Sequence, residues 1–148
     1  MKQRKREYKL SHEAAEEVLT IFLDYYEIYE DDFSDPKEWE NVSGAMDSVI
    51  KHIRMGYVEI IETEDGDVDV KQNPKNSKSG KSYIYESTRI AKSKAQMKTA
   101  TNDDNYGKMY ALMGALCGNG STAVMNLKGV DYKVMESLSI LFLQCTSG

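Results

Sequence analysis

Cysteine, histidine, proline and tryptophan are all scarce in this chain. Its 148 residues include two Cys, two His, two Pro and one Trp. Cys117 and Cys145 lie far apart, and neither belongs to a C-x-x-C pair, so neither a disulfide scaffold nor a zinc motif is encoded. Two reduced, partly buried thiols are expected, and a bond between the two stays open. His12 and His52 stand alone, without metal-ligand spacing. Phosphate-binding and dinucleotide-binding glycine motifs are missing, as is any Ser-His-Asp nucleophile motif. "EDGDVD" and "DDNYGK" cluster oxygens but do not fit the calcium loop with its terminal Glu. "GNGST" has no strand before it and reads as a helix–helix connection rather than an anion loop. No catalytic residue, cofactor or metal ligand is therefore assigned, and a non-enzymatic protein is expected. No apolar run reaches the ~18 residues of a membrane span. The basic opening "MKQRKREYKL" leads into no apolar segment, so it does not read as a secretory signal. A net charge of −5 argues against a general nucleic-acid binder.

The composition is otherwise ordinary, with 41% hydrophobic and 29% charged residues. The length suits one domain over residues 1–148. Charge falls in blocks of alternating sign. Residues 1–10, read as a basic N-terminal arm, hold five bases against Glu7. Residues 24–40 hold eight acids against Lys37, and residues 59–69 hold six acids and no base. Residues 71–98 hold eight bases against Glu86. Tyr83 and Tyr85 lie within that last block, but the acidic stretch beside it would repel phosphate, so a solvated segment is the preferred reading.

The pattern predicts an α+β fold. It is mainly helical, with a small antiparallel hairpin or three-stranded sheet in the middle and a C-terminal helical bundle. Ser11 caps a first helix with Ala15, Val18, Leu19, Phe22, Tyr26 and Tyr29 at helical spacing. Residues 18–30 are rich in β-branched and aromatic types, so a strand there is an open alternative, with helix favoured. Asp35-Pro36 starts a second helix, whose stripe Trp39, Val42, Met46, Val49 and Ile53 is expected to be buried from Trp39 onward. Ser43-Gly44 is a place to bend or split it. Lys51, His52 and Arg54 suit its negative end, and Gly56 its stop. "YVEIIETEDGDVDVKQ" reads as a hairpin turning at Asp65-Gly66, and "SYIYES" as a third strand. Residues 72–81 hold nothing apolar and read as a flexible loop. Residues 88–100 are helix-compatible.

The C-terminal part, residues 102–148, is helical. Asn102 or Asp103 caps a helix carrying Tyr106, Met109, Tyr110, Met113 and Leu116, which Gly118 ends. Ser121 or Thr122 caps a short helix through Leu127, Gly129 ends it, and Asp131 caps the last. That last helix is apolar nearly all round. Val134, Met135, Leu138, Leu141, Phe142 and Cys145 form one face, with Tyr132, Ile140 and Leu143 on the other. Such a helix is covered on both sides, either by its own core or by a second chain.

The layout "MYALMGALCGNGSTAVMNLKGVDYKVMESLSILFL" resembles the C-terminal half of the phage tail assembly chaperones of contractile-tailed phages and prophages. The positions that carry the likeness are Leu116, Ser121 or Thr122, Val124, Leu127, Asp131, Tyr132, Val134 and Leu138. The resemblance spans residues 106–144 and implies a non-enzymatic protein of the host cytoplasm that coats the aggregation-prone tape-measure protein during tail assembly. Phage tail proteins, whether tape-measure, tube or baseplate components, would be its partners, and a homo-oligomer stays open. Tyr132, Ile140, Leu143, Met109 and Met113 are the candidate partner-binding residues. Met125 and Met135 add further adaptable thioethers. The alternative is a structural baseplate or tail-hub subunit of the virion tail.

Overall fold

The computed structural model describes residues 4–77, 80–98 and 105–146. The chain is α+β, mainly helical, with a small antiparallel sheet between the N-terminal and C-terminal helices. Helix α1 (His12–Tyr25) starts where the Ser11 hydroxyl accepts the Ala14 N–H at 3.1 Å. It buries Ala15, Leu19 and Phe22 on one face, which settles most of residues 18–30 as helix. Helix α2 (Pro36–Arg54) starts where Asp35 accepts the Lys37 N–H at 2.9 Å, with Pro36 in the first turn. It runs unbroken through Ser43-Gly44. Val42, Ala45, Val49, Ile50 and Ile53 are buried. The expectation for Trp39 is corrected. It is only partly buried, because at the start of α2 its main aromatic neighbour is Phe33, 5.4 Å away between ring centroids.

Gly56, at φ +80°, turns the chain out of α2 into the sheet. Strands β1 (Val58–Glu62), β2 (Val68–Gln72) and β3 (Tyr83–Tyr85) lie in the order β1-β2-β3, with Ile60 opposite Val70 and Val70 opposite Tyr85. The hairpin closes as the sequence implies. Thr63 N–H donates to Asp67 C=O at 2.9 Å, Gly66 N–H donates to Thr63 C=O at 3.0 Å, and Gly66 takes φ +87°. Val58, Val68, Val70, Gln72 and Tyr85 are buried, on the face turned to the helices.

Helix α3 (Ile90–Met97), α4 (Asn105–Cys117), α5 (Ser121–Met125) and α6 (Val130–Thr146) complete the fold. The caps expected at Asn102 and Asp103 lie outside the described residues. Gly118 ends α4 at φ +76°. Two expected caps are corrected. Helix α5 is preceded by Gly120, with no side-chain cap, and ends at Met125 rather than Leu127. Asp131 lies inside the first turn of α6, and its carboxylate serves another segment. It accepts the backbone N–H groups of Lys75 and Asn76, each at 2.7 Å. The run expected to be a flexible loop is thus tied to α6 at residues 75 and 76, and its first residue, Gln72, is a buried strand residue.

Helix α6 lies against α2 and α4, and its aromatic Phe142 sits at the junction of helices and sheet. The Phe142 ring is 5.3 Å from Phe22 and 6.0 Å from Tyr85. Val134, Met135, Leu138 and Leu141 join it in the core.

Candidate protein-binding surface

On a helical wheel of α6, the buried positions Asp131, Val134, Met135, Leu138, Ser139, Leu141 and Phe142 fill one side. The opposite strip holds Tyr132, Lys133, Glu136, Ile140, Leu143 and Gln144, of which Lys133 is exposed and the rest half-buried. The division read from the sequence therefore holds: Tyr132, Ile140 and Leu143 stand outside the fully buried face of Val134, Leu138 and Leu141. Tyr132 is positioned by α4, because its hydroxyl hydrogen-bonds the Tyr110 hydroxyl at 2.8 Å. That bond holds the proton on Tyr132 and pushes its pKa up to about 12.

Met109 and Met113 are not part of this surface. They are 6% and 0% exposed, inside the core formed with Leu112 and Leu116. The apolar stripe of α4 is consumed by its own fold, which corrects their assignment to partner binding. Of the four methionines read as adaptable contacts, Met135 is also buried and Met125 is 53% exposed. Tyr106, placed by the sequence on the stripe of α4, is 63% exposed instead.

His52 stands in the last turn of α2, where the sequence places it, and is buried between α2 and α6. Ser48 Oγ lies 3.3 Å from His52 Nε2 and 2.8 Å from Ser137 Oγ, which links the two helices through hydroxyls. Burial, and then the charges of Lys51, Arg6 and Lys133, lower its pKa to about 4. The ring is therefore neutral near pH 7, and Nδ1 has no partner among the described residues.

A second buried polar chain joins sheet to helix, and nothing in the sequence pattern announced it. Tyr85 O–H donates to Gln72 Oε1 at 2.8 Å, and Gln72 Nε2 donates to Asp131 C=O at 2.8 Å. A cavity of about 460 Å³ opens beside it, lined in part by Asn76, Tyr83, Leu127, Lys128 and Asp131. Both Asp131 oxygens there already accept backbone N–H groups. Cys117 and Cys145 are free thiols, each raised in pKa chiefly by burial, and each lies against a backbone carbonyl of its own helix. Among the described residues no three His, Cys, Asp or Glu side chains converge as metal ligands. Nor is any described helix long and apolar enough to cross a membrane.

Comparison with protein-family models, with curated proteins and with solved structures finds no match to this chain.

Proposed function

We propose that this chain is a non-enzymatic phage or prophage tail assembly protein that holds an apolar segment of a tail component, such as the tape-measure protein, on the outer strip of α6. One observation carries this reading. The last helix presents Tyr132, Ile140 and Leu143, only half-buried, opposite a face already filled by its own core. Apolar groups in excess of what a core face needs mark an interaction surface. The C-terminal helix layout that resembles tail assembly chaperones points the same way. The candidate site is narrower than the sequence suggested, because Met109 and Met113 are taken up by the core.

Co-expression with the tail proteins of the same phage tests the reading. The wild-type chain is expected to co-purify with the tape-measure protein and to be absent from finished particles. Leu143→Glu is expected to lose the partner while remaining folded. Retention in finished particles would favour the structural-subunit alternative. Equal co-purification of wild type and Leu143→Glu would remove α6 from the interaction.

A further inference from the structure

The other feature of the molecule that invites a partner is the outer edge of the sheet. In the order β1-β2-β3, strand β1 has a neighbour on one side only. Two flanking bonds give the phase of its backbone. Asn73 N–H donates to Tyr57 C=O at 2.8 Å, and Thr63 N–H donates to Asp67 C=O at 2.9 Å. Positions 57, 59, 61 and 63 therefore turn their peptide groups toward β2, because alternate residues of a strand bond to opposite sides. Val58, Ile60 and Glu62 turn theirs outward. Among the described residues, no backbone bond from another element reaches these three.

A groove opens beside the first half of that strand. Its volume is about 420 Å³, and its walls include Lys9, Leu10, Val18, Ile53, Val58, Glu59 and Ile60. Val58, Glu59 and Ile60 are consecutive, so their side chains alternate between the two faces of the sheet. The cavity touches all three, and Gly56 and Asn73 beside them, so it opens over the first half of β1 and reaches its edge there. The N-terminal segment forms the far wall and is pinned there: Lys9 N–H donates to Arg54 C=O at 2.7 Å, and Arg54 Nε–H donates to Leu10 C=O at 3.2 Å. Leu10 is 41% exposed, and Val18 and Ile60 are half-buried, so an apolar pocket opens on the helix side of the free edge.

We infer that β1 accepts an extended segment of another polypeptide as a fourth strand. Unpaired N–H and C=O groups at the spacing of a strand are complementary to another strand and to little else. Leu10, Val18 and Ile60 take an apolar side chain of the incoming segment. The charge of the hairpin selects its source. Residues 59–69 carry six acids and no base, and Glu59 of β1 pairs with Lys71 at 3.7 Å. A second copy of β1 would set acids beside acids, which opposes self-pairing. The partner strand therefore carries Lys or Arg toward the hairpin tip and spans about five residues, the length of β1 at about 3.3 Å per residue. This site uses residues separate from those of α6 and stands whether or not α6 docks a tail protein.

The test uses the full chain and a short capped peptide of alternating Val and Lys. Two N-methylated versions are needed, one with methyl groups on the amides that would face β1 and one with methyl groups on the amides facing away. The unmodified peptide and the away-facing version are expected to bind, and the β1-facing version to bind at least about tenfold more weakly. Hydrogen exchange at the Val58 and Ile60 amides is expected to slow on binding. In the protein, Ile60→Pro removes an outward N–H without touching the β1–β2 ladder, so it should abolish binding and keep the fold. Chemical-shift or circular dichroism spectra would verify that fold. Equal binding of the two methylated peptides overturns the inference, as does no binding at ~1 mM peptide. Protection of Val58 and Ile60 in a dimer of the protein alone would overturn it in favour of a second copy.

Discussion

Replacement of Asp131 gives the sharpest test of how the C-terminal helix is held. Its side chain lies in the first turn of α6, the residue is 2% exposed, and its two oxygens each accept one backbone N–H, from Lys75 and Asn76. Hydrogen bonds to a charged acceptor contribute roughly 1.5–3 kcal/mol each, and an orphaned buried donor costs about 1–3 kcal/mol. Asp131→Ala removes both bonds, but the 75–76 segment is exposed and its N–H groups can turn to water. That places the loss at about 3 kcal/mol rather than at the sum of the two maxima. For a chain of this size the change lowers Tm by roughly 6–12 °C. Asp131→Asn keeps one acceptor and turns an amide donor toward the other N–H, so it is expected to lose about 2 kcal/mol. Thermal melts by circular dichroism measure both. Limited trypsin digestion adds a local readout, since release of the segment exposes Lys75, and cleavage there should quicken in the variants ahead of global unfolding. A loss under about 0.5 kcal/mol with unchanged Lys75 cleavage would refute the claim that this carboxylate fastens the loop to the helix.

Three further outcomes are expected. Leu138→Glu buries an unpaired charge and should unfold the chain, whereas Leu143→Glu should change stability by under about 1 kcal/mol; equal damage in urea titrations would mean that α6 has no outer strip. The unfolded chain takes up a proton on His52 near pH 6.5, and the folded chain resists it until about 4. Stability from this residue is full above pH 6.5 and falls as pH drops toward 4, by on the order of 3 kcal/mol, so a His52→Gln variant should show a flatter pH profile over that window. Gly114→Ala would drive a Cβ into the Gly120 carbonyl backbone, which cannot swing aside as a side chain would, and should cost about 1–3 kcal/mol in a denaturant titration.

The parts of the fold that were legible in the sequence are those governed by local chemistry. Ser11, Asp35 and Pro36 mark helix starts because a cap needs only the next few residues. Gly56, Gly66 and Gly118 mark turns because their positive φ suits a residue without Cβ. The alternation in "VDVKQ" identified β2 because one face of the sheet is buried. What failed depended on distant partners. Asp131 reads as a cap by its position before an apolar run, yet its oxygens are claimed by residues 75 and 76 on another segment. His52 stands in the last turn of α2 as its spacing implies, but nothing local in the sequence marks that α6 covers it through Ser137 and Ser48.

The same distinction decides what can be said of α6 as a site. A helix apolar on all sides announces that both sides are covered, but not by what. On one side the answer is internal, since Phe22 and Tyr85 close around Phe142. On the other, α4 supplies the Tyr110 hydroxyl to Tyr132 and α2 supplies Ser48 to Ser137, which borders the strip. Between these flanks Ile140 and Leu143 keep part of their apolar surface open. Met109 and Met113 look equivalent to them in sequence, because burial within a stripe and exposure along it leave the same periodicity. The two cases separate only when the neighbouring helices are in place: Met109 and Met113 then fall inside the core, while Ile140 and Leu143 stay on the outer strip of the last helix.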